Sequence, residues 1–101
     1  MAKRFIEWTE TAIRQRRSIL KYWTIRNGSP EYASKIIRLS EKHTESILKN
    51  PLAFRKSDYP NTRVAAMGHF SIFYKIDSDK IYITAFWDNR QDPKKLIKIL
   101  K

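Results

Sequence analysis

His69 and Ser71 stand two residues apart in Gly68-His69-Phe70-Ser71, the separation that turns two side chains to one side of an extended chain. An imidazole beside a hydroxyl is the start of a nucleophilic pair, but no third group that would orient the base is legible near it. A second chemistry needs less machinery. RNA carries its own nucleophile, the 2′-hydroxyl, so its cleavage asks only for cations on the phosphate and a group that moves a proton. Arg63, Lys75 and Arg90 are candidates for the cations, since a guanidinium pairs with two phosphate oxygens and a lysine acts as a point charge. His69 is the candidate proton carrier near neutral pH. The plainer alternative is that Arg63 and Lys75 are ordinary solvated strand residues, and convergence with Arg90 is an assumption at this level.

Other chemistries are excluded by what is missing. With no cysteine in the chain, disulfides, thiolate nucleophiles and cysteine zinc sites are removed together. Two glycines, Gly28 and Gly68, cannot write a phosphate-cradling loop or a dinucleotide fingerprint. The two histidines, His43 and His69, show no metal-ligand spacing with each other or with a carboxylate cluster. No metal and no cofactor is therefore expected.

The elements that must position these residues follow from local signals. Residues 4–8 are aromatic and β-branched and predict a strand, after which Thr9 caps a helix over about residues 10–26, stopped by Asn27-Gly28. Arg16 falls inside the apolar stripe of that helix, as a stem lying on the core with its guanidinium in water. Ser29-Pro30-Glu31 starts a second helix running through residue 48, with Ala33, Ile36, Ile37, Ser40, Thr44, Ile47 and Leu48 on one face, and Asn50-Pro51 ends it. The stretch 50–62 reads as a long connection. Three strands then follow at 63–67, 69–76 and 81–87, with a turn at Asp77-Ser78-Asp79-Lys80, and Asp92-Pro93 introduces a short helix over 94–100. Along 69–76 the residues Phe70, Ile72, Tyr74 and Ile76 share the face that takes the helical hairpin, leaving His69, Ser71, Phe73 and Lys75 on a face expected to be open. The closing stretch alternates Leu96, Ile97, Ile99 and Leu100 with Lys94, Lys95 and Lys98, which reads as a helix docked on the sheet with its lysines in water.

One hundred and one residues make one domain, 1–101, of α+β class. Twenty-one Lys and Arg against ten Asp and Glu leave a formal charge of +11, enough to suggest a polyanionic partner. The surplus is not a tail: residues 1–50 carry 11 basic and 5 acidic side chains, residues 51–101 carry 10 and 5. No stretch has the length of a signal or a membrane span, so a cytoplasmic protein without a membrane partner is expected.

This arrangement resembles the RelE/ParE superfamily of toxins from type II toxin–antitoxin modules. Trp8-Thr9-Glu10-Thr11-Ala12 is similar to the family's entry into its first helix, and Lys49-Asn50-Pro51 to the break after its second. Arg63 with Gly68-His69-Phe70-Ser71-Ile72-Phe73-Tyr74-Lys75-Ile76 resembles its central hairpin, and Phe86-Trp87-Asp88-Asn89-Arg90-Gln91-Asp92-Pro93 its closing arginine motif. The resemblance implies an antiparallel twisted sheet with an N-terminal helical hairpin on one face and a short C-terminal helix. It also implies a growth-arresting toxin of a plasmid-stabilisation kind, neutralised by a cognate antitoxin. Two activities follow from it. The RelE-like branch cuts messenger in the ribosome, which would use Arg63, Lys75 and Arg90 with His69; the ParE-like branch poisons DNA gyrase without catalysis. Arg90 matches a basic position of the nuclease branch, whereas Ser71 stands where that branch often has arginine, and no Tyr or His follows Pro93. Gyrase inhibition is the reading favoured, with the ribosomal endoribonuclease and a non-toxic antitoxin-binding member as alternatives.

Overall fold

The computed structural model describes residues 4–100. Met1–Lys3, part of the N-terminal reading above, and the Ile99 side chain of the closing amphipathic stretch lie outside the described residues. The chain runs β1 (Phe5–Trp8), α1 (Glu10–Asn27), α2 (Glu31–Lys49), β2 (Arg63–Met67), β3 (Phe70–Ile76), β4 (Lys80–Asp88) and α3 (Pro93–Leu100).

Local chemistry sets these boundaries. Thr9 Oγ1 accepts the Ala12 N–H at 3.2 Å, satisfying one orphan donor of the first turn of α1. At the other end Gly28 takes φ 62°, a left-handed conformation that favours glycine. Its N–H reaches the Ile25 carbonyl at 3.3 Å while Ser29 N–H reaches Thr24 at 3.2 Å, the paired closure of a Schellman stop. Ser29 Oγ then accepts the Glu31 N–H at 3.2 Å as α2 begins. Only three residues separate the two helices, so they return antiparallel as a hairpin.

The sheet order is β1-β4-β3-β2. The meander β2–β3–β4 is antiparallel as expected, and β1 joins it parallel to β4, pairing Phe5–Trp8 with Lys80–Ile83, which makes the sheet mixed. Gly68 and His69 form the two-residue turn between β2 and β3, with positive φ at Gly68 alone, the pattern of a II′ hairpin. His69 is therefore a turn residue and not the first residue of β3. Between β3 and β4 the register slips: Phe73 faces Ala85 while Tyr74 faces Ile83, leaving Thr84 as the extra residue of a bulge.

Two cores result. The larger lies between the helical hairpin and the sheet and includes Ile19, Ile36, Ile47, Ile72, Tyr74 and Phe86. The face expected to be open is also covered. Val64, Phe73, Ala85 and Trp87 bury themselves there against Leu96 and Leu100 of α3, with Tyr59 at the margin. The reason is compositional: a sheet whose β3 and β4 carry large apolar residues on both faces has to bury both, and among the described residues α3, with Tyr59, does it.

Candidate functional site

Arg63 opens β2, opposite Tyr74 of β3, and so stands on the helical-hairpin side of the sheet. Its Nη1 donates to the Phe54 carbonyl at 2.6 Å and lies 3.5 Å from that of Leu52. Tyr74 adds a second tie from the same place, its fully buried hydroxyl donating to the Pro51 carbonyl at 2.7 Å. Burial pushes the Tyr74 phenol above its ordinary pKa, and the nearby Arg63 charge only partly offsets this. The 50–62 connection is thus a built element. Val64 N–H donates to Arg55 O at 3.0 Å, Phe54 stacks edge-on against Tyr74 at 6.4 Å, and Tyr59 does so against Phe73 at 5.8 Å.

Lys75 is one residue beyond Tyr74, exposed, and paired with Tyr82 on the opposite face from Arg63. Arg90 lies beyond the Phe70–Asp88 pair, at the other end of β3. Four residues along a strand separate the two registers, about 13 Å at a rise of about 3.3 Å per residue. The three cations therefore do not converge on one phosphate. His69 is exposed at the hairpin tip, where its backbone carbonyl accepts the Asn89 N–H at 2.7 Å. Ser71 is buried, and its hydroxyl donates to Asn89 Oδ1 at 2.9 Å, so it is engaged away from His69. His43 shares its Nδ1 proton with the Leu39 carbonyl at 2.8 Å, a contact within α2.

Arg90 is held by a fork that the sequence reading did not single out. Its Nε donates to Asp88 Oδ1 at 2.8 Å and its Nη2 to Oδ2 at 2.9 Å, while the Arg90 N–H adds a bond to Oδ1 at 3.0 Å. The guanidinium also lies 4.4 Å from the centre of the Trp23 ring and 5.4 Å from that of Phe70, a cation between two π faces. Burial alone would raise the Asp88 pKa, but the hydrogen bonds and charge of Arg90 overcome it and hold the carboxyl below the usual range. In return the Asp88 bonds keep Arg90 more firmly protonated against the opposing effect of its own desolvation. The Trp23 indole N–H turns toward the same carboxylate without completing a hydrogen bond. The spacing Asp88-Asn89-Arg90, a carboxylate two residues before an arginine at a strand end, is the sequence signal from which this fork could be found.

Beside Arg90 opens a groove of about 850 Å³ between α1 and the end of β4. Ile19, Tyr22, Trp23 and Phe86 line its apolar part. Arg14, Arg26, Arg90 and Lys95 give it four cations against one carboxylate, Asp88, already held by Arg90. Arg14 and Arg26 carry no signal in the sequence, and Lys95 reads there as a solvated lysine of the closing helix, because the groove joins segments some 70 residues apart. Arg16, within the α1 stripe, stacks over the Trp8 ring at 5.4 Å instead of standing wholly in water.

The family described as ParE toxin of type II toxin-antitoxin system, parDE, matches residues 6–93. Among solved structures, a chain of the chromosomal ParDE TA system from P. aeruginosa shares the fold, with a TM-score of 0.72 at 22% identity, over 83% of this chain and 94% of that one. No curated protein sequence matches.

Proposed function

Since the chain belongs to the ParE toxin family of type II toxin–antitoxin systems, within the RelE/ParE superfamily, we propose that it arrests growth by binding DNA gyrase in the cytoplasm, forming and breaking no covalent bond. A cognate antitoxin is the partner that such a module implies. The observation that carries the gyrase reading is the dispersal of the cations. A metal-independent nuclease needs two or more of them and a proton carrier around one phosphate. Here Arg63 is committed to loop carbonyls, Lys75 lies on the other face, and Arg90 is at the far end beside an exposed His69.

Binding asks for something different, namely rigid aromatic and arginine anchors at a surface. Arg90, fixed by Asp88 and Trp23 yet with 38% of its side chain exposed, has that character. Lys75, exposed on the sheet, adds a charge contact. The test is a gyrase supercoiling reaction titrated with purified toxin, run beside a cell-free translation reaction in which messenger 5′ ends are mapped. Supercoiling is expected to fail with the messenger intact, and Arg90→Ala should raise the inhibitory concentration about tenfold, the effect of losing one anchor. New 5′ ends on translated messenger only, with supercoiling unaffected, would replace this reading by the ribosomal nuclease.

A further inference from the structure

The 50–62 connection, with the start of β2 and the end of β3, bounds a second cavity of about 510 Å³, and two cations meet at its wall. Lys56 and Arg63 face each other across a single antiparallel bridge, a pairing that puts both side chains on one face with their Cβ atoms about 5 Å apart. Like charges so placed repel, and no carboxylate relieves them: the ion pairs among the described residues are Lys80–Glu7 and Arg90–Asp88. Asp58, the one acidic residue of the connection, is not part of the lining. Hydrogen bonding does not consume the pair either. Arg63 spends only Nη1 on the loop, at 2.6 Å from the Phe54 carbonyl. That bond fixes the guanidinium, while its Nε and Nη2 and the Lys56 ammonium have no partner among the described residues.

We propose that this cavity binds a small phosphate dianion between Lys56 and Arg63, either free phosphate or the phosphate monoester of a mononucleotide; the site goes beyond the gyrase reading and does not depend on it. Charge is the first reason. Two facing cations are balanced by the nearly two negative charges that a phosphate monoester carries at neutral pH, whereas a carboxylate or the phosphodiester of a nucleic-acid backbone supplies one. Geometry is the second. The Nε and Nη2 that Arg63 keeps are the same two nitrogens by which Arg90 grips both oxygens of Asp88, a fork that fits two phosphate oxygens equally well, and Lys56 adds a point charge from across the bridge. The third is a lining that holds its shape without the ligand. The Ser57 hydroxyl donates to the Thr62 carbonyl at 2.8 Å and the Thr62 hydroxyl to that of Pro60 at 2.9 Å, while Asn61 brings a side-chain amide to the wall with no partner among the described residues. Leu52 and Ile76 form an apolar side on which a sugar and base can pack, in a volume within the range of roughly 300–1,000 Å³ of small-molecule sites.

The experiment titrates the isotopically labelled full chain, at constant ionic strength, with three probes: inorganic phosphate, 5′-AMP, and dimethyl phosphate, which carries a single charge. The Ser57, Asn61 and Thr62 amide resonances are expected to shift and saturate with phosphate, and dimethyl phosphate should bind at least tenfold more weakly. AMP binding at least threefold tighter than phosphate would assign the apolar side to a nucleoside, and equal or weaker binding would assign the site to free phosphate. Lys56→Ala removes a side chain that holds no other group and should weaken phosphate binding at least tenfold. Arg38→Ala on α2 is the charge control, expected to change it less than twofold, and circular dichroism confirms that each variant is folded. As a second reading, phosphate at a hundred times its dissociation constant should raise the folding constant of the parent about a hundredfold, and at that same concentration only about tenfold in Lys56→Ala. Shifts that do not saturate, that spread evenly over the basic surface, or that are the same in the parent and Lys56→Ala would overturn the site. Dimethyl phosphate binding as tightly as phosphate would overturn the choice of a dianion.

Discussion

Two stretches of strand edge in this sheet are finished in opposite ways. Along β2, the chain's own 50–62 connection lies across the edge: Val64 bonds to Arg55, Lys56 bridges to Arg63, and Arg63 and Tyr74 fasten the loop's carbonyls from beneath. Along β4, beyond Ile83, one glutamine amide reaches one backbone N–H. Unpaired edges invite foreign strands, and proteins usually cover or charge them. Here the start of the β2 edge is covered, and the stretch of β4 beyond Ile83 is left open among arginines and a lysine. The difference separates two uses of the same residue type. Arg63 holds structure, whereas Arg14, Arg26 and Lys95 face a groove.

The closed edge is where substitutions should cost most in stability and least in binding. Arg63→Met removes a charged donor from the Phe54 carbonyl and should destabilise by about 2 kcal/mol, read from denaturant midpoints, with antitoxin affinity changed less than threefold. If binding fell with stability hardly moved, Arg63 would belong to the interaction surface after all. Tyr74→Phe leaves the Pro51 carbonyl buried without its donor, an expected loss of about 1.5 kcal/mol. It should also speed exchange at the Val64 and Ser57 amides, which depend on the loop staying docked.

How legible this was depends on the range over which each feature is decided. Thr9, Gly28 and Asn50 mark their boundaries with chemistry contained in three or four residues, and the elements fall within a residue or two of the expected limits. Arg63, by contrast, reads as a cation available to a ligand because its partners are carbonyl oxygens, which leave no trace in side-chain composition. Ser71 reads as open for the same kind of reason. Period-2 alternation says which residues share a face but not whether a later segment will cover it, and α3 with Tyr59 covers the face that carries Phe73. The groove was the least visible feature, since Gln15 and Phe86 are 71 positions apart and neither is unusual alone. The parallel pairing of β1 is likewise a long-range fact, set by how the helical hairpin returns the chain to the sheet.

At the open end the Asp88–Arg90 fork sets an acid-side pH dependence, whereas the raised Tyr74 phenol places that of the closed edge on the alkaline side. The folded Asp88 carboxyl titrates below its ordinary range, so its contribution is complete above the ordinary carboxylate pKa and is lost as pH falls through the lowered folded value. Asp88→Asn should cost about 1 kcal/mol at neutral pH, because Arg90 keeps part of its hydration. More tellingly, it should flatten the acid limb of the stability–pH curve, with Arg63→Met leaving that limb as steep as in the parent. Equal acid limbs in the parent and Asp88→Asn would mean that the fork is not coupled to folding.

The smallest expected effect discriminates best between the two edges. Gln15 makes the single bond to the Phe86 N–H, at the margin of a solvent-filled groove, and water can replace it when the side chain is cut back. Gln15→Ala should therefore cost only about 0.5 kcal/mol in stability, a figure that alanine's better helix propensity partly offsets. Exchange at the Phe86 amide should speed in the variant, since nothing else claims that N–H, while the Val64 amide, held by the Arg55 carbonyl at the other edge, exchanges as in the parent. Unchanged exchange at Phe86 would mean that the glutamine does not protect it.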